Sequence, residues 1–97
     1  LLMLNNEFIR DQSRHLATRI SREAGNSVDA QVKKLYRVAF SRMATSDEVG
    51  LGIEFIDKQA QAYAGGPGKA IADGHRMDAL TNYCQAIIAL NEFIYIN

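Results

Sequence analysis

Apolar residues recur every three or four positions along most of this chain, the spacing of one face of an α-helix. From about Glu7 to Ala24 the stripe is Ile9, Ser13, Leu16, Ala17, Ile20 and Ala24, while Arg10, Arg14, Arg19 and Arg22 fall largely elsewhere. Asn5 or Asn6 can cap the start of this first helix, and Gly25-Asn26 supplies a left-handed stop. A second helix is predicted from Asn26 or Ser27, with Val28, Val32, Leu35 and Ala39 on one side and Tyr36, Phe40 and Met43 widening that face.

Thr45 and Glu48 have the spacing of a capping box, in which the hydroxyl and the carboxylate each satisfy one orphan backbone amide. The third helix follows, with Val49, Ile53, Ile56, Ala60 and Tyr63 inward. Gly50 and Gly52 each cost this helix about 1 kcal/mol relative to alanine. The expectation is that they admit a close neighbour, or else that the first turn frays. Gly65 to Arg76 reads as the one real loop and the most mobile internal segment, holding four glycines and Pro67. A fourth helix is predicted from Met77 or Asp78, carrying Leu80, Tyr83, Cys84, Ile87 and Ile88 inward.

Alternation of period two is confined to Phe93 to Ile96, a stretch too apolar to be left in water. Leu4 to Ile9 is echoed by Leu90 to Ile94, so the tail is expected to fold back in a short final turn beside the start of the first helix. Leu1 to Leu4 look like the end of an earlier element. Four amphipathic helices with short connections predict an all-α single domain over residues 1–97, a four-helix bundle or an orthogonal helical array.

The chain has 97 residues, one domain's worth, with 47% hydrophobic and 23% charged residues. That is a globular composition and not a disordered one. Eleven basic residues balance eleven acidic ones, so no overall field draws the domain to nucleic acid or an acidic membrane. The distribution is uneven: residues 25–44 carry four basic groups and one acidic, and residues 45–64 carry one basic and four acidic. Two adjacent helices attracting each other is the simpler reading, and a two-ended dipolar surface for a partner is the sharper one. A helix-turn-helix reading fails on charge, since the third helix would bring net −3 to the phosphates of a major groove.

Candidate chemistry is sparse. Gly65, Gly66, Pro67, Gly68 and Lys69 suggest a phosphate-binding loop, but Tyr63 stands where its first glycine belongs and Ala70 where its serine or threonine belongs. The glycines more simply stop a helix and reverse the chain. His15 and His75 lack ligand-spaced partners, and His15 is placed to pair with Asp11 on the same helix face. Asp47, Glu48, Glu54 and Asp57 form no acid–base pair once Glu48 serves the cap. Cys84 is alone on an apolar stripe, a small buried hydrophobe and no disulfide partner. The expected sets of catalytic, cofactor-binding and metal-binding residues are therefore all empty, with no cofactor. No apolar run reaches the ~18–20 residues of a membrane span.

Three stretches together resemble a known family. Leu2 to Ile9 with Gln12 looks like its opening motif. Leu35-Tyr36-Arg37, Ala39, Arg42, Thr45 and Glu48 follow its central pattern. Cys84 to Ile88, then Asn91 to Tyr95, follow its ending. The family is the uncharacterised C-terminal domain of large planctomycete proteins, many of which carry a planctomycete-type cytochrome c domain. Ser41, Met43 and Ala44 replace the glycine and prolines that usually flank its central arginine. The resemblance implies an exported parent and an unassigned function, and it transfers no catalytic residue. Together with the missing initiator methionine, it leads to the expectation of a C-terminal fragment of a larger protein. The expected role is a non-catalytic helical interaction or packing module, its partners being other domains of the parent or another protein. The alternative is an accessory domain that completes or covers an active site housed elsewhere in the parent.

Overall fold

Four helices form where the apolar stripes place them: α1 (Asn6–Ala24), α2 (Val28–Phe40), α3 (Ser46–Tyr63) and α4 (Asp73–Ile96). They belong to a computed structural model that describes the backbone of residues 6–96 and the side chains of residues 7–90. Among the described residues there is no strand, and the fold is all-α.

The helix ends follow local chemistry. Gly25 takes a left-handed φ of +79° behind α1, the conformation that glycine adopts without steric penalty. Ser27 caps α2 by accepting the Ala30 amide, and buried Gln31 donates to the Gly25 carbonyl at 2.7 Å, pinning the turn between α1 and α2. The capping box of α3 is complete: Glu48 N–H donates to Thr45 Oγ1 at 3.1 Å, and Thr45 N–H donates to Glu48 Oε1 at 2.8 Å. One left-handed residue was not foreseen, Ser41 at φ 55°, which closes α2 by donating its amide to the Arg37 carbonyl. Met43 therefore lies outside α2 and is 67% exposed, not on the helix's apolar face.

The fourth helix begins at Asp73, four residues before the predicted Met77. His75 accounts for this. Its Nδ1 accepts the Ala72 amide at 3.0 Å, the reach-back that Glu performs in a capping box, and Arg76 N–H donates to the Ala72 carbonyl. The loop is correspondingly shorter than Gly65 to Arg76. It is anchored by Gln61, whose side-chain amide donates to the carbonyls of Gly66 and Lys69, and by partly buried Ile71.

α4 is the central helix. It runs antiparallel to α1, with Arg10 opposite Asn82 and Gln85 and with Ser21 beside Asp73 and Met77. It is also antiparallel to α3, with Tyr63 at Asn82 and Phe55 beside Tyr83 and Ala86. α2 touches all three other helices. The core joins Ala17 and Ile20 of α1, Val32 and Leu35 of α2, Ile56 and Ala60 of α3, and Ala79, Leu80, Tyr83, Cys84 and Ile87 of α4. Predicted stripe residues are its centre, whereas Tyr63 is 42% exposed and turns its hydroxyl to Asn82. Ser13 and Thr81 are buried because their hydroxyls donate back to the carbonyls of Ile9 and Met77.

The two helical glycines differ. A Cβ on Gly52 would sit 2.7 Å from Tyr83 Oη and 2.9 Å from both Val32 methyls, so this residue does admit a close neighbour. Gly50 faces open space with nothing within 4 Å. At the C-terminus the α4 backbone stays helical through Ile96, so the chain neither turns back nor forms a strand at Phe93 to Ile96. The side chains expected to be buried there, and the start of the chain expected to receive them, lie outside the described residues.

Candidate functional site

Tyr36, Arg42, Thr45 and Glu48 converge on one structural device. Arg42 forms a two-pronged contact with Glu48, Nη1 to Oε1 at 2.8 Å and Nη2 to Oε2 at 2.7 Å, and it also donates to the Met43 carbonyl. Its guanidinium lies 5.2 Å from the Tyr36 ring centroid and 5.7 Å from that of Phe40, and the two rings are themselves 5.3 Å apart. A planar guanidinium suits both the carboxylate fork and the aromatic faces. Glu48 thus serves Arg42 and the Thr45 cap together. The Arg42 hydrogen bonds first, then the Thr45 amide, hold its carboxyl down to about 2. These residues set the turn from α2 to α3.

Other sequence candidates are placed apart. Cys84 is fully buried in the core, and burial pushes its thiol up to about 12. Burial, reinforced by Tyr36, also raises Tyr83 well above the ordinary phenol range. Asp11 pairs with Arg14 at 3.2 Å and not with His15. Glu54 pairs with Lys58 at 2.8 Å, which draws its carboxyl below the usual range, and Asp47 and Asp57 are exposed. Among the described residues, no group of three or more His, Cys, Asp or Glu side chains is placed to hold a metal ion.

A polar seam that the sequence pattern did not reveal ties three helices together. Arg10 Nη1 donates to Asn82 Oδ1 at 2.6 Å and to Gln85 Oε1 at 3.1 Å. Asn82 Nδ2 in turn donates to Gln59 Oε1 at 2.8 Å and Tyr63 Oη at 2.9 Å. Arg10 had read as a solvent-side residue. The available signal was Asn82 and Gln85 three apart on a helix otherwise apolar in that stretch. The seam borders a shallow groove floored by Ala86 and Ala89 and flanked by Phe55.

Two other concavities gather polar or charged side chains around an apolar floor. The first, about 240 Å³, lies where α1, α2 and α4 meet and gathers Ser21, Asn26, Asp73 and Arg76 above Ile56 and Leu80. The second, about 370 Å³, runs along α2 between Ala24, Ala30 and Met43, with Lys33, Lys34 and Arg37 at its rim. Lys33 is bonded to Asp29 at 2.9 Å and Lys34 to Glu23 at 3.1 Å. Lys34 and then Arg19 draw the Glu23 carboxyl below its usual value. Arg37 has no carboxylate within ion-pair distance among the described residues, and its Nη1 lies 3.7 Å from Met43 Sδ. The basicity of α2 is therefore directed partly to α1, through Glu23, and partly outward. Of the basic residues between 25 and 44, only Arg42, past the helix end, bonds an α3 carboxylate among the described residues.

Among the described residues, no helix is long and apolar enough to cross a membrane. Comparison with known proteins gives no match: no family model, no curated protein and no solved structure is similar to this chain.

Proposed function

We propose that this domain is a non-catalytic helical interaction or packing module that docks through the cleft along α2. The observation that carries the reading is the make-up of that cleft. Two alanines and a two-thirds-exposed methionine form an apolar hollow, and three cations surround it. Small walls and a flexible thioether accommodate an incoming side chain, and Arg37, beside the ion-paired Lys33 and Lys34, favours an acidic neighbour. The placement in a larger exported polypeptide rests on the family resemblance in the sequence. There the occupant is another domain of the parent or a separate protein. A photoreactive residue at Arg37 in the intact parent should cross-link to that occupant, whereas the same residue at exposed Arg14 should not. Equal adducts at both positions, or none at Arg37, would refute docking at this cleft.

A second reading has its own observation. The cleft lined by Ser21, Asn26, Asp73 and Arg76 gathers polar groups from α1, α4 and the turn before α2, as an accessory domain completing an active site would need. Arg76→Gln would then change the parent's kcat/KM without changing the domain's melting temperature.

A further inference from the structure

We propose that two copies of this domain associate by seating the acidic Leu51 stripe of one copy's α3 in the basic Met43 cleft of the other's α2. The proposal rests on reading that cleft as a docking surface. Asp47, Leu51 and Glu54 are four and three residues apart, so they share one face of α3. All three are exposed, and Leu51 is 68% exposed, the most open large hydrophobic side chain among the described residues beside Met43 at 67%. An apolar knob flanked by Asp47 and by Lys58-paired Glu54 thus stands on one helix. Along the next lies an apolar hollow rimmed by Arg37 and by Lys33 and Lys34, the two lysines ion-paired within their own copy.

The match extends to detail. Leu51 is a side chain that an alanine-walled hollow can admit, with Met43 free to adapt around it. Arg37, the rim cation without an ion pair among the described residues, is the group left to receive Asp47 of the second copy. Lys58, bonded to Glu54, ends the acidic stripe one turn further on and sets its length. The formal net charge is zero, so copies approach without mutual repulsion while the local charges orient them. Cleft and stripe are different patches, so each copy offers one of each.

The test is sedimentation velocity of the protein across a concentration series at low and high salt. Wild type should associate reversibly, and added salt should weaken the association. A cleft variant, Arg37→Glu with Met43→Ser, and a stripe variant, Leu51→Ser with Glu54→Lys, should each lose about tenfold or more in self-affinity, as truncating a central contact does. Mixed in equal amounts, the two variants should form a pair, because the first keeps its stripe and the second keeps its cleft. Circular dichroism establishes that both fold, and single Arg37→Gln and Leu51→Ser variants take their place if either does not. A monomeric wild type at every concentration overturns the proposal, as does undiminished association of the variants or failure of the mixture to pair. If wild type is monomeric while Arg37 still cross-links to a different polypeptide, the docking reading stands and self-association alone is refuted.

Discussion

Gly52 of α3 lies against the phenol of Tyr83 of α4, leaving no room for a methyl group: a Cβ there would approach Tyr83 Oη to 2.7 Å. The same Cβ would meet both methyls of Val32 on α2, so one missing side chain sets how closely three helices meet.

Gly52→Ala should therefore destabilise the domain. Overpacking costs about 1–3 kcal/mol, against about 1 kcal/mol gained in helix propensity. Val32 is fully buried and β-branched, so it cannot swing aside, and the clash should dominate. Gly50→Ala, two residues away in open space, should instead stabilise by up to about 1 kcal/mol. Thermal melts of the two variants should shift in opposite directions. A stabilised Gly52→Ala would mean that α3 and α4 lie further apart than described.

Removing the α3 cap should be felt directly. Thr45→Ala takes away the acceptor of the Glu48 amide and should cost about 0.5–2 kcal/mol, read as a lower melting temperature. An unchanged melt would place the start of α3 elsewhere.

Acid should weaken the same turn. The Glu48 carboxyl is held at about 2 in the folded protein against 4.5 for the free group. A carboxyl lowered on folding stabilises the native state in full above its unfolded value, and this is lost as the pH falls through the folded value. The Arg42–Glu48 contribution should thus be intact above about pH 4.5 and decline toward about pH 2. Glu48→Gln should flatten the melting temperature against pH over that window; an unaltered slope would show that the pair contributes nothing.

Cys84 should be unreactive while the protein is folded. Its side chain is fully buried, with the thiol pushed up to about 12, so the attacking thiolate is scarce and shielded. A thiol-reactive dye at about pH 8 should label it only in denaturant. Native labelling at the denatured rate would mean that the core around α4 opens freely.

The seam through Asn82 should matter more than its half-exposed position suggests. Asn82→Ala leaves Arg10, Gln59 and Tyr63 each short of a partner, and part-exposed hydrogen bonds of this kind contribute about 0.5–1.5 kcal/mol. A loss well under that range in chemical denaturation would show that water replaces the amide without penalty.

The helices and most of the core are legible along the chain, because both depend on short-range periodicity. Ile20, Val32, Leu35, Ile56, Leu80 and Cys84 stand on stripes whose burial follows from which face each helix turns inward. The stop at Gly25 and the box of Thr45 and Glu48 are also local, since each satisfies backbone groups within one turn. The start of α4 was misplaced because an imidazole does the work usually done by a carboxylate, a substitution that composition does not reveal. Only the tertiary structure decided which glycine is pressed and which is free. Gly50 and Gly52 look alike in sequence, and the difference comes from Val32 and Tyr83, twenty and thirty-one positions from Gly52. It also decided that Arg10 joins a seam with Asn82, seventy-two residues away, and that Lys34 meets Glu23 of α1. Such pairings depend on how helices are set against one another, and a period read along one chain carries no information about the neighbour that will face it.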